Sequence, residues 1–219
     1  MELFQELNLN GTLCFDIGAN IGNKTQSFLN FGASVVCVEP QQDCFSILES
    51  KFKDNKKVKI IQTALGTSKG VKKIFISQEN TLTTMSEDFI SETTKDRFKN
   101  TVWGKEELIN VTTLDEIVMN YGTPIFCKID VEGYEVEVLK GLSQPIKYIS
   151  VEFIPELKQK TFDCIKLINN LGNYNYNYIE GESSAFTFNN WISSDEIINF
   201  LSKNNDFKNS FGDLYAKLS

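Results

Sequence analysis

Phe15-Asp16-Ile17-Gly18-Ala19-Asn20-Ile21-Gly22 is the stretch on which the reading of the whole chain turns. The apolar run Thr12 to Ile17 reads as a short strand. Gly22 to Phe31 reads as a helix that stops at Gly32. Strand, glycine turn and helix in that order make the first half of a doubly wound unit, whose ligands sit at the carboxyl ends of the strands. Gly18 and Gly22 allow the backbone to turn sharply and to come close to a ligand. The helix start adds free N–H groups.

The alternation continues on both sides of one interruption. Ser34 to Val38 (SVVCV) is nearly all apolar and largely β-branched, as suits a buried parallel strand that Pro40 ends. Gln41 to Phe52 reads as the next helix and Val58 to Leu65 as a third strand closed by Gly66. Further on come a strand at Ile125 to Ile129, a helix at Tyr134 to Leu139, a strand at Tyr148 to Phe153 and a helix at Phe162 to Leu171. The tail offers Tyr174 to Ile179, Ala185 to Phe188, a helix from Ser194 to Leu201 and a last strand near Leu214 to Leu218. The Asn-rich piece Asn169 to Asn177 reads as a loop and hairpin. Serial strand–helix units imply an α/β, doubly wound, mostly parallel sheet with helices on both faces. No repeat and no Pro/Gly/Ser linker divides residues 1–219, so one domain is expected.

The interruption spans about residues 71–118. Val71 to Ser77 reads as an extra strand and Leu114 to Met119 as a short helix. Gln78 to Asn110 is rich in Thr, Ser, Glu and Lys and is expected to be a weakly structured insertion. Such segments often carry function. Thr81 to Met85 and Trp103 are its candidates for touching an acceptor.

Composition narrows the chemistry. The chain has 219 residues, 41% hydrophobic, with 17 Phe, enough for a substantial core. No apolar run approaches the roughly 20 residues of a membrane span. Met1 to Asn10 carries Glu2 and Glu6 and no Lys or Arg, unlike a secretory signal, so a cytoplasmic protein without membrane association is expected. The net charge of −7 disfavours nucleic acid as a partner. Lys51, Lys53, Lys56 and Lys57 read as a solvated helix end. The five cysteines form no C-x-x-C pair and read as free buried thiols. Histidine is absent, which removes Ser-His-Asp hydrolysis, Cys-His proteolysis and His-ligated metal sites.

The glycine turn fails the test for a dinucleotide site. Its spacing is Gly18-x-x-x-Gly22, not G-x-G-x-x-G. Asp16 at the strand end would repel a pyrophosphate but suits a cation. S-adenosylmethionine carries an ammonium and a sulfonium and no phosphate. Glu39 closes the second strand 23 residues after Asp16, near the ~20-residue offset of a ribose-binding acid. Its carboxylate can accept both ribose hydroxyls.

At this point FDIGANIGNKTQSFLNFGASVVCVEP (Phe15 to Pro40) and KIDVEGYEVEVLKGL (Lys128 to Leu142) resemble the FkbM-type methyltransferases, over roughly Gly11 to Phe153. The first stretch marks the broad class I methyltransferase fold, and the second is the more specific. The resemblance implies a seven-stranded Rossmann-like sheet with one antiparallel strand. It implies S-adenosylmethionine as methyl donor and, usually, O-methylation of a hydroxyl. It implies Asp16, Gly18 and Asn20 at the methionine end, Glu39 at the ribose, and Thr63 and Ala64 near the adenine; Gly22, in the turn, and Pro40, after Glu39, are counted with the cofactor-binding residues.

The second motif is where chemistry is expected. Strand alternation sends Lys128 and Asp130 the same way, with Asp130 at the carboxyl end of its strand. Glu132 and Gly133 are expected to begin a helix, and Glu135 and Glu137 to form an exposed helix face. An alcohol nucleophile must lose a proton, and without histidine Asp130 or Glu132 is the candidate base, with Lys128 holding one of them or orienting the acceptor. Glu152 can face the same cleft. Three acids converging there are where Mg²⁺ or Ca²⁺ would sit, but nothing in the spacing requires a metal and none is expected. The acceptor is expected to be a small molecule or glycan bearing a hydroxyl. The rival readings are a nucleotide-dependent oxidoreductase, which the missing third glycine and Asp16 oppose, a catalytically silent cofactor-binding module with a protein partner, and a nucleic-acid methyltransferase, which the acidic balance opposes.

Overall fold

The structure is a computed structural model that describes residues 7–181, 183, 185–203 and 211–219. Glu2 and Glu6 lie outside these residues. Five parallel strands form the centre: β1 (Leu13–Ile17), β2 (Ser34–Val38), β3 (Val58–Ile61), β7 (Phe126–Ile129) and β8 (Tyr148–Phe153). The tail adds β9 (Tyr174–Glu180) and β10 (Gly212–Leu218). The sheet order is β3-β2-β1-β7-β8-β10-β9. β10 runs antiparallel to both its neighbours. This is the expected doubly wound, mostly parallel seven-stranded sheet.

Strand alternation builds one core on each face. Phe15, Ile17, Cys127, Ile129, Ile149 and Val151 face one side. There they meet α4 (Leu114–Tyr121), α5 (Glu135–Lys140), α6 (Lys158–Leu171) and α7 (Ser194–Lys203) through residues such as Ile117, Leu139, Ile165 and Leu201. Cys14, Val35, Cys37 and Phe126 face the other side and pack on α1 (Asn23–Asn30) and α2 (Gln42–Phe52) through Phe28, Leu48 and Phe52. All five cysteines are free and buried. Among the described residues no helix is long and apolar enough to cross a membrane.

Several elements differ from the sequence reading. Val58 to Leu65 is two strands in two sheets. β3 ends at Ile61, and β4 (Ala64–Leu65) pairs with β6 (Trp103–Thr112) beside β5 (Gly70–Ser77) in a three-stranded sheet. The backbone redirects at Gln62 and Thr63, and apolar character alone does not show such a change of sheet. Gln78 to Asn110 is more structured than its composition suggests. It holds a 3₁₀ turn (Asn80–Leu82), α3 (Glu87–Thr93) capped by Ser86, and most of β6. Few residues anchor it: Leu82, Phe89, Ile154 and Leu157 form a small separate core with Phe98 and Trp103 against it. Asn169 to Asn177 is the end of α6 and the start of β9, because Asn177 is buried and satisfied by Phe188 and Tyr178. Ala185 to Phe188 is an irregular stretch and not a strand, with Thr187 N–H donating to the Tyr178 carbonyl.

Candidate active site

A cleft of about 380 Å³ opens at the carboxyl ends of β1, β2 and β7. Gly18 turns the chain at its floor with φ +80°. A β-carbon there would lie 1.8 Å from the Asp130 carbonyl oxygen, so only glycine lets the β1 and β7 loops approach this closely. Gly22, at φ +79°, does not line the cleft. A β-carbon on it would press on Phe52 and Leu48, so its role is to seat the start of α1 against α2.

Asp16 is fully buried and sits in register with Lys128 of the neighbouring strand. Its Oδ2 accepts the Thr25 hydroxyl at 2.6 Å, while Oδ1 has no hydrogen-bond partner. Burial raises its pKa, and Lys128 and Thr25 oppose the rise. A buried carboxylate oxygen without a partner is costly unless a donor arrives, so a cationic ligand group fits here.

Glu39 ties two loops together. The Asn20 N–H donates to its Oε2 at 2.8 Å and the Gln41 N–H to its Oε1 at 2.9 Å. Burial pushes the Glu39 carboxyl up to about 7 against these two N–H groups. Each oxygen keeps a lone pair for a ribose hydroxyl. Pro40, Thr63 and Ala64 line the same end of the cleft. The Thr63 hydroxyl donates to the Asn110 carbonyl, and Gln41 Nε2 donates to the Asn80 carbonyl, which fastens the 80s turn over the pocket.

The other end is acidic. Lys128 Nζ lies 2.6 Å from Asp130 Oδ2. Burial would lower the Lys128 pKa, but Asp130, Asp16 and Asp213 outweigh it and keep the ammonium charged. Asp130, Glu132 and Glu152 bring carboxylate oxygens within 4.8 Å of one another, a geometry that could also hold a cation. Burial, then repulsion from neighbouring acids (Glu152 and Asp130 on Glu132; Asp130, Glu135 and Asp213 on Glu152), raises both Glu132 and Glu152 well above ordinary carboxylates. A carboxylate with raised basicity is the kind of group that serves as a general base.

All the expected site residues except Gly22 line this one cleft, together with Thr81, Thr83, Thr84 and Met85. Three expectations are corrected. Trp103 does not line it: its indole N–H donates to the Leu82 carbonyl and its ring packs edge-on against Phe89. Glu132 and Gly133 do not begin a helix. Both have positive φ, and α5 starts at Glu135. Glu135 is not on an exposed face but is 4% exposed, because it turns inward to the loop before it. Sequence reasoning also missed Asp213, which sits beside the acids because β10 inserts next to β8 and pairs Asp213 with Glu152. It missed Lys24, which lines the cleft from the first turn of α1.

The family model described as "Methyltransferase FkbM domain" matches residues 16–208. No curated relative matches the sequence. Among solved structures, precorrin-6y C5,15-methyltransferase from Geobacter metallireducens is similar, with 10% identity, a TM-score of 0.50, and 99% of this chain and 85% of that chain covered. An O-methyltransferase from Bacillus cereus, solved in complex with SAH, has 14% identity and a TM-score of 0.49, covering 99% of this chain and 79% of that one.

Proposed function

Because the chain belongs to the FkbM methyltransferase family, we propose that it methylates a hydroxyl of a sugar, glycan or other small molecule, with S-adenosylmethionine as donor. The observation that carries this reading is the pairing, within one cleft, of the unpartnered Asp16 Oδ1 with the Asp130 and Glu132 carboxylates, which Glu152 backs from beside the cleft. Bound S-adenosylmethionine supplies a methyl group on a sulfonium. Asp16 accepts from its ammonium, with Gly18 and Asn20 beside it. Glu39 accepts its ribose hydroxyls, and Thr63 and Ala64 flank the adenine.

Glu132 is the base in this reading. It lines the cleft and, among the described residues, no side chain pairs with its carboxylate, whereas Asp130 is bound to Lys128. Lys128 holds Asp130 in place through their 2.6 Å contact, and Asp130 orients the acceptor hydroxyl. The segment around residues 71–118 covers the acceptor, with Thr81, Thr83, Thr84 and Met85 on the cleft side. Four lining carboxylates (Asp16, Glu39, Asp130 and Glu132) against two lysines favour an acceptor that donates hydroxyl protons over one that carries phosphate. Nucleic acid is therefore not the acceptor in this reading, and no metal is needed.

Calorimetric titration with S-adenosylmethionine and with NAD tests the donor. Release of S-adenosylhomocysteine over a panel of sugars, glycans, polyols and RNA tests the acceptor. Binding of the first ligand alone, and release with a hydroxylated small molecule that EDTA does not abolish, is the expected result. NAD binding, or turnover on RNA alone, overturns it.

A further inference from the structure

Glu132 has φ +53°, a conformation few non-glycine residues adopt. Such a conformation is strained and persists where its surroundings over-determine it. Here four hydrogen bonds surround it. Glu135 Oε1 accepts the N–H of Val131 and the N–H of Gly133, both at 3.1 Å. The Thr84 hydroxyl donates to the Glu132 carbonyl at 2.6 Å. Lys160 Nζ donates to the Gly133 carbonyl at 3.0 Å. Two of the four bonds therefore converge on one oxygen of one buried side chain.

Glu135 does not line the cleft. Its acceptor oxygen is turned to the backbone on either side of Glu132, and the residue is 4% exposed. We infer that Glu135 is the positioning residue of this site: it clamps the Val131–Gly133 turn in its left-handed form and so holds the Glu132 carboxylate beside Asp130 and Glu152. The inference rests on the reading of Glu132 as base. Thr84, from the acceptor cover, closes the same turn from the other side. This couples the cover to the base.

Because only Oε1 accepts the two N–H groups, a glutamine amide can replace the carboxylate. An alanine cannot, and an aspartate is one methylene too short. The test uses the full chain, isotope-labelled, as E135A, E135D and E135Q. Two readouts need no acceptor: hydrogen exchange at the Val131 and Gly133 amides, and the Cα and Cβ shifts of Glu132, which report left-handed backbone.

E135Q is expected to keep the parental shifts, amide protection and turnover. E135A and E135D are expected to lose the left-handed shifts and to expose both amides. They should keep parental S-adenosylmethionine affinity, while kcat on the acceptor found by the release panel falls about a hundredfold, as misplacement of a reacting group by an ångström can do. If E135A does not fold, E135D carries the comparison. Parental shifts and protection in E135A and E135D overturn the clamp, as does an E135Q variant that is as damaged as E135A. E132Q separates the two claims: full turnover in E132Q removes the base assignment, while the resonance readouts still decide the clamp.

Discussion

Lys128 Nζ lies 2.6 Å from Asp130 Oδ2, two residues along the same edge of the chain, and only 7% of the Lys128 side chain is exposed. Asp16 faces the same lysine across the β1–β7 register, and Asp213 adds a third acid. One buried cation thus compensates several carboxylates at the strand ends. Removing one partner of a buried pair costs about 3–5 kcal/mol, because the remaining charge is left uncompensated. Lys128→Met, similar in length, should lower the melting temperature by roughly 10 °C for a chain of this size, read by thermal unfolding at neutral pH. A loss of only a degree or two would mean that Lys128 is not the compensating charge.

Glu39 makes the cofactor end pH-dependent. Its pKa rises from 4.5 to about 7 in the folded chain, so the folded state holds that proton more tightly than the unfolded one. The resulting stabilisation is complete below pH 4.5 and is lost as pH climbs through about 7. It amounts to about 3 kcal/mol at most. The ligand-free protein should therefore melt at higher temperature near pH 5 than near pH 8, and Glu39→Gln should flatten that slope. Ligand affinity should run the other way. An ionised Glu39 accepts hydroxyls better, so S-adenosylmethionine should bind more tightly as pH rises from about 6 to about 8, and Glu39→Gln should bind weakly at both. Calorimetry at the two pH values checks this.

Gly18→Ala should be severe. The added β-carbon would meet the Asp130 carbonyl oxygen at 1.8 Å, and the backbone has φ +80°. The two strand-end loops would have to separate, so both the melting temperature and S-adenosylmethionine binding should drop. Thermal unfolding and titration on the same preparation distinguish this from a purely local loss of affinity, in which the melting temperature would stay put.

Trp103→Ala should act on stability and not on the cleft. The ring packs on Phe89 in the small core under α3 and its N–H is bound to Leu82. Truncating this partly buried ring should lower the melting temperature by several degrees, less than for a fully buried aromatic, while S-adenosylmethionine affinity stays at the parental value by calorimetry. A large affinity change with an unchanged melting temperature would return Trp103 to the ligand site.

The placement of Asp16, Gly18 and Glu39 was legible because they stand at strand ends, and strand ends are announced by local pattern: an apolar run, then glycine or proline. Lys128 and Asp130 were legible for the same reason, since a strand's alternation needs only two residues of context. Glu135 was misread. On a helix wheel it belongs with Glu137, yet the left-handed turn at Glu132 and Gly133 delays the helix and swings Glu135 back onto that turn. Trp103 was misread because a polar, low-anchor stretch gives no sign that six apolar side chains scattered from Leu82 to Leu157 assemble into one small core.

By itself, then, the sequence determined the doubly wound architecture, the turn at Gly18 and the acids that end β1, β2 and β7. These follow from nearest-neighbour patterning and backbone sterics. Tertiary structure alone decided which strands lie side by side. It split Val58 to Leu65 between two sheets, brought Asp213 next to Glu152 through an inverted last strand, and buried Glu135 against the loop that carries Glu132. Apart from the Glu135 bonds, which span only two and four residues, these contacts join residues dozens to more than a hundred positions apart; they depend on how chain segments return to one another, and burial, not local preference, selects that return.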